Sequence, residues 1–175
     1  DLTWTGSFPA VQEPQHQIRM GSRTILDTSR FAQLGSWHGV LRVDGAEHDV
    51  AGWIGSRDRS WGIRPVGDPE PAGRAPEQPS EGFWWLYAPL RFERFAVVII
   101  AQENPDGYRT LNDAVRVWPD GRVEQLGWPR IEIGYRSGTR HPERAELRCT
   151  AADGSSVVIE IQTMTGVPLH VGAGY

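Results

Sequence analysis

The sequence predicts an all-β domain in which antiparallel hairpins close around a shared core as a barrel or barrel-like sandwich, with little helix. Three observations carry that expectation. Apolar and polar residues alternate with a period of two, and Gly or Pro interrupts the alternation roughly every ten residues. Three hairpins stand out, each with an Asp-Gly dipeptide, which tolerates positive φ in tight turns, between strand-like flanks. No apolar stripe recurs at helical spacing over a useful length.

Taken in chain order, the first hairpin spans residues 39–50 and turns at Asp44-Gly45. The segments 82–90 and 95–101 are apolar on both alternating faces, as central strands packed on two sides would be. Two further hairpins span 114–126, turning at Asp120-Gly121, and 145–161, turning at Asp153-Gly154. Between the first hairpin and the apolar pair lies a Pro-rich loop, 65–82, with prolines at 65, 69, 71, 76 and 79. It reads as a surface excursion, or as a rim over one mouth of a barrel.

At 175 residues the chain suits a single domain with one well-buried core. The opening Asp-Leu-Thr-Trp and the closing Val-Gly-Ala-Gly-Tyr suggest a segment of a longer chain, with a second barrel domain of the same chain as a candidate partner. No apolar run approaches the roughly 20 residues that span a bilayer, so no membrane span is expected. Net charge is −4 and the arginines are scattered singly, the wrong footprint for nucleic acid. All 18 basic residues are Arg, which excludes lysine Schiff-base and P-loop chemistry and suggests a GC-rich, bacterial coding habit. Cys149 is the lone cysteine, so no internal disulfide can form; a reducing cytoplasm fits, and a periplasmic setting is compatible. The five histidines show no HxH or HExxH spacing, and no GxSxG, GxGxxG or P-loop string is present. No metal and no cofactor are expected.

Two features point towards a site. Eight tryptophans is a heavy load for this length, and in a closed β fold some must face inward, as core filler or as the wall of an apolar cavity. Trp53, Trp61, Trp84 and Trp85, with Tyr87, His16, Arg57 and Arg64, are the candidate ligand-binding residues. The second feature is the string Gly55-Ser56-Arg57-Asp58-Arg59-Ser60-Trp61-Gly62-Ile63-Arg64. Alternation puts Val50, Ile54, Asp58 and Ser60 on one face and Trp53, Arg57, Arg59 and Trp61 on the other. If Val50 and Ile54 face inward, so does Asp58, and a buried carboxylate needs a partner. Asp58 is then either half of a structural Arg–Asp clasp or a catalytic acid whose pKa burial raises.

The string at 57–62, Arg-Asp-Arg-Ser-Trp-Gly, resembles a signature of uncharacterised bacterial proteins in the lipocalin-like superfamily that includes carotenoid 1,2-hydratase. Glu13-Pro14-Gln15-His16 and the closing Leu169-His170-Val171-Gly172-Ala173-Gly174-Tyr175 extend the resemblance. Arg59 stands where those relatives often carry His. The resemblance implies an antiparallel lipocalin-like barrel, often one of a tandem pair, and a hydrophobic, lipid- or isoprenoid-like ligand, with hydratase or isomerase acid chemistry at Asp58. Two other readings compete with it. One is a non-catalytic interaction module filled by its own tryptophans, and the other is a carbohydrate-binding β-module. Cavity volume separates the first two readings, and exposure of the tryptophans separates the third.

Overall fold

The structure, a computed structural model, describes residues 1–63 and 83–167. Among these the chain forms thirteen strands and no helix, all pairings being antiparallel. The expected all-β, barrel-like sandwich is what is found. It is built in three layers.

The first sheet is organised by one 21-residue strand, β4 (Arg23–Val43). Along one edge it pairs in succession with β3 (His16–Met20), β2 (Val11–Gln12) and β1 (Leu2–Gly6). Along the other edge it pairs with β5 (Ala46–Asp49) and β6 (Trp53–Ile63). The β4–β5 hairpin turns at Asp44-Gly45 with φ of 49° and 83°, the left-handed pair that a two-residue hairpin of the right twist requires. Sequence between Asp49 and Trp53 then bulges, burying Val50, before β6 continues the return.

The second sheet has the order β10-β9-β8-β7, from β7 (Trp84–Arg91), β8 (Ala96–Glu103), β9 (Arg109–Val117) and β10 (Val123–Gln125). The third comprises β11 (Arg130–Tyr135), β12 (Pro142–Thr150) and β13 (Ser156–Gln162). Both later hairpins expected from the sequence form, at β9–β10 and β12–β13, and in each the turn Asp accepts from a backbone N–H two residues on, Arg122 to Asp120 and Ser155 to Asp153, both at 2.9 Å. A further Asp-Gly, Asp106-Gly107, turns β8 into β9 in the same way, with Tyr108 donating to Asp106 at 3.2 Å.

The second sheet is the middle layer. One face packs Ala96, Val98, Val115 and Val117 against Phe8, Val11, Ala32 and Leu34 of the first sheet. Its other face packs Val97, Ile99 and Ala114 against Leu147, Cys149 and Ile159 of the third. Residues 96 to 102 of β8 are therefore all buried, matching the two-sided packing expected of segment 95–101. Segment 82–90 differs: β7 is the edge of its sheet, half-buried on both faces, and Pro89, which has no N–H to donate, suits that edge.

On the outer face of the first sheet, Gly55 makes room for two indoles. A Cβ at Gly55 would stand 2.6 Å from Nε1 of Trp37 and 3.3 Å from Nε1 of Trp4. Gly55→Ala is accordingly expected to cost roughly 1–3 kcal/mol, the scale of overpacking. Thermal melting with tryptophan fluorescence checks this, and a variant as stable as the parent would show that both rings move aside freely.

Candidate functional site

Alternation along β4 sends Thr28, Arg30, Ala32 and Leu34 towards the middle sheet, and their partners across the strand boundaries follow the same sense. His16 lies opposite Thr28, Val11 opposite Ala32, and on β6 Ser60 lies opposite Arg30 and Asp58 opposite Ala32. Glu13, between β2 and β3, donates its backbone N–H to the Arg30 carbonyl at 2.9 Å. From the facing sheet, Trp85 and Tyr87 of β7 and Asp113 of β9 share one face, Tyr87 and Asp113 lying in one row with Ile100 between them. A polar patch thus sits at one end of an otherwise apolar interface.

Glu13 is its centre. The side chain is 3% exposed, and its Oε2 meets Nε of Arg30 at 3.5 Å. Its Oε1 is buried with no hydrogen-bond partner among the described residues. Burial pushes the Glu13 carboxyl up to about 7, against the pull of Arg30 and with help from the charges of Asp58 and Asp113. The hydroxyl of Tyr87 is likewise buried without a partner, and burial with the Glu13 and Asp58 charges pushes its pKa up. The Thr28 hydroxyl is a third such atom. Burial also raises Asp113 above the usual carboxylate range, a backbone hydrogen bond at Ala114 partly opposing it. Arg30 lies over the Trp85 ring at 5.0 Å from its centroid, and His16 stacks on the same ring at 6.3 Å. Buried polar atoms are nearly always satisfied in folded proteins, so three orphans facing one interior single out this patch.

The structure sorts the sequence candidates into two faces. His16, Trp85 and Tyr87 come together at the interior patch, and Asp58 points to the same side. Asp58 itself is exposed, contrary to the expectation that it is buried. Alternation gives its face but not its burial: β6 pairs only with β4 among the described residues, and its inward side chains are mostly exposed. Ile54, on that same face, is 63% exposed for the same reason. An exposed carboxylate keeps its water, which removes both the buried clasp and the desolvated acid at this position. Trp61 does not meet β7 at a barrel mouth. It lies on the outer face, half exposed, 6.3 Å from Phe31.

Arg57 is also on the outer face, donating to Oε1 of Gln33 at 3.1 Å and covering the rings of Trp4 and Phe31 at 5.1 and 5.3 Å. Trp53 is outward and half exposed, and Trp84 points to the other side of β7 from Trp85. Arg64, the Pro-rich loop 65–82 and the closing motif 169–175 lie outside the described residues.

Glu13, Arg30 and Asp113 were not singled out from the sequence as site residues. A signal existed for the last of these: Leu111, Asp113, Val115 and Val117 alternate onto one face, so a carboxylate stands in an apolar row. A wide, open groove of about 1580 Å³ runs elsewhere, along β11–β13, past Glu132, Arg136, Glu143, Arg144 and Met164. Its charged groups pair locally, as Arg136 with Glu143 at 3.4 Å, and none of the orphaned buried atoms faces it. Among the described residues no group of three or more His, Cys, Asp or Glu side chains is placed to hold a metal ion.

Fold and site together define an antiparallel β-sandwich protein with a buried acidic patch at the junction of its first two sheets. The chain belongs, over residues 1–175, to DUF8625, a family of unknown function. Comparison with curated proteins finds no match, and comparison with solved structures finds none. No helix among the described residues is long and apolar enough to cross a membrane.

Proposed function

We propose that this protein binds a small molecule with an apolar body, whose polar head lies at the Glu13–Tyr87 patch and whose body lies against the partly exposed Trp85 ring beside it. The observation that carries the proposal is the pair of orphaned buried atoms, Glu13 Oε1 and Tyr87 OH, set beside a wall of Trp85, Ile100, Val98 and Val115. Sites for small molecules combine a mainly apolar lining with a few convergent polar groups, and that is the composition here. The same arrangement supports the lipid- or isoprenoid-like ligand class that the 57–62 string suggests. If the site carries acid chemistry, its proton donor is the buried Glu13 rather than the exposed Asp58: a carboxyl with a pKa of about 7 is half protonated at neutral pH.

The test is titration of an apolar fluorescent probe into the parent protein and Trp85→Ala, with melting temperatures recorded for both. The variant is expected to bind more weakly by about 1–3 kcal/mol, the contribution of one large apolar side chain. Met164→Asp, in the open groove of the third sheet, is expected to bind as the parent does. A parent that takes up no probe, or one whose affinity responds only to the groove variant, overturns the proposal.

A further inference from the structure

We propose that the ligand's polar head is a protonated amine, received by Oε1 of Glu13 and the hydroxyl of Tyr87; this rests on the binding reading above. The argument begins with the charges on the interior patch. Three carboxyls face it from three different elements: Glu13 from the β2–β3 connection, Asp58 from β6 and Asp113 from β9. Against them the described residues set the Arg30 guanidinium from β4 and the His16 imidazole from β3. Arg30 is already engaged, bridged to Glu13 Oε2 and lying over Trp85, with His16 stacked on that ring as well.

What is left open is therefore an acceptor. Among the described residues Oε1 of Glu13 has no donor, and the Tyr87 oxygen can accept as well as donate. An anionic head would meet carboxyls on both sheets and a guanidinium committed elsewhere. An ammonium would supply the missing donor hydrogens and cancel the surplus negative charge.

In the free protein a proton takes that place. The same burial and crowding of carboxyls that raises the Glu13 pKa to about 7 leaves the group about half protonated at neutrality and largely protonated by about pH 6. An ammonium entering the site displaces that proton. Binding an amine thus releases a proton from Glu13, and affinity climbs with pH through the neutral range. Binding an acid would take a proton up, and affinity would fall.

Dodecylamine, dodecanoate and dodecanol share one apolar chain and differ only in the head, so calorimetric titration with each, below its aggregation concentration, reads the head alone. Dodecylamine is expected to bind at least tenfold more tightly than the other two at pH 8, and about tenfold more tightly at pH 8 than at pH 6, as displacement of a proton with a pKa of about 7 requires. Heats measured in buffers of different ionisation enthalpy should show up to one proton released per amine at pH 6. In Glu13→Gln the dependence on pH should flatten, and the preference for dodecylamine over dodecanol should shrink. Tighter binding of dodecanoate, weakening as pH rises, overturns the amine head in favour of an anion. Equal binding of all three overturns any reading of charge. Failure of all three to bind overturns the binding site itself rather than the choice of head.

Discussion

Ile99→Ala and Ile100→Ala are each expected to destabilise the protein by about 4 kcal/mol, within the range for truncating a fully buried aliphatic side chain. Both residues are essentially inaccessible, at 0% and 1% exposure, yet adjacent positions on β8 serve different interiors. Ile99 packs towards Leu147, Cys149 and Ile159 of the third sheet, whereas Ile100 faces the first sheet in a row with Tyr87 and Asp113. Neither cavity can collapse easily, because strands on both sides of β8 hold its backbone in place. Val158→Ala, on the outer face of β13, serves as the comparison and should cost under about 0.5 kcal/mol. Urea unfolding monitored by circular dichroism measures all three. A cost below about 1 kcal/mol for either isoleucine would mean that β8 is not sandwiched as described.

The second large effect concerns pH. The Glu13 carboxyl titrates near 7 in the folded protein against a reference of 4.5, so the native state holds more protons than the unfolded chain between those values. Stability contributed by this group must therefore fall as pH rises from about 4.5 to about 7 and level off above that, a loss on the order of 3 kcal/mol. Asp113, also raised by burial, adds a slope of the same sign. Glu124 and Asp153 are lowered by their hydrogen bonds, and their contribution is lost as pH falls through the acid range, so stability should pass through a maximum on the acid side of neutrality. Glu13→Gln removes only the first of these components. The difference between parent and variant, followed by thermal or urea unfolding from pH 5 to pH 8, should grow in the variant's favour by most of that amount. Parallel profiles would show that the carboxyl is solvated.

What the sequence made legible was local. Asp44-Gly45, Asp120-Gly121 and Asp153-Gly154 each mark a hairpin because positive φ at a turn is written in the residues that tolerate it. The continuous apolar run from Ala96 to Ala101 marks a strand covered on both faces for an equally local reason: no polar residue interrupts it. Period-two alternation also gave the side to which Asp58 points. What it could not give is whether anything covers that side, since the same alternation is compatible with a central strand and with an edge. That difference separates an exposed Asp58 from a nearly inaccessible Glu13 on one face of one sheet. Likewise, Glu13, Arg30 and Tyr87 come from segments far apart in sequence, and their convergence is fixed by how two sheets stack rather than by any spacing within a motif.

Each of the three sheets is drawn from an uninterrupted stretch of chain, the first from residues 2–63, the second from 84–125 and the third from 130–162. Among the described residues no strand has to wait for a hydrogen-bonding partner from the far end of the polypeptide: even β1 and β4, whose strands lie farthest apart in sequence of any ladder, pair within residues 2–39. On the ribosome, the first sheet can be complete before the second emerges, and the second can dock one of its faces at once. Its other face, with Val97, Ile99 and Ala114, then stays bare until the last sheet has been synthesised. That interval, when a finished apolar surface still lacks its cover, is where a nascent chain of this design is most open to aggregation and to capture by chaperones.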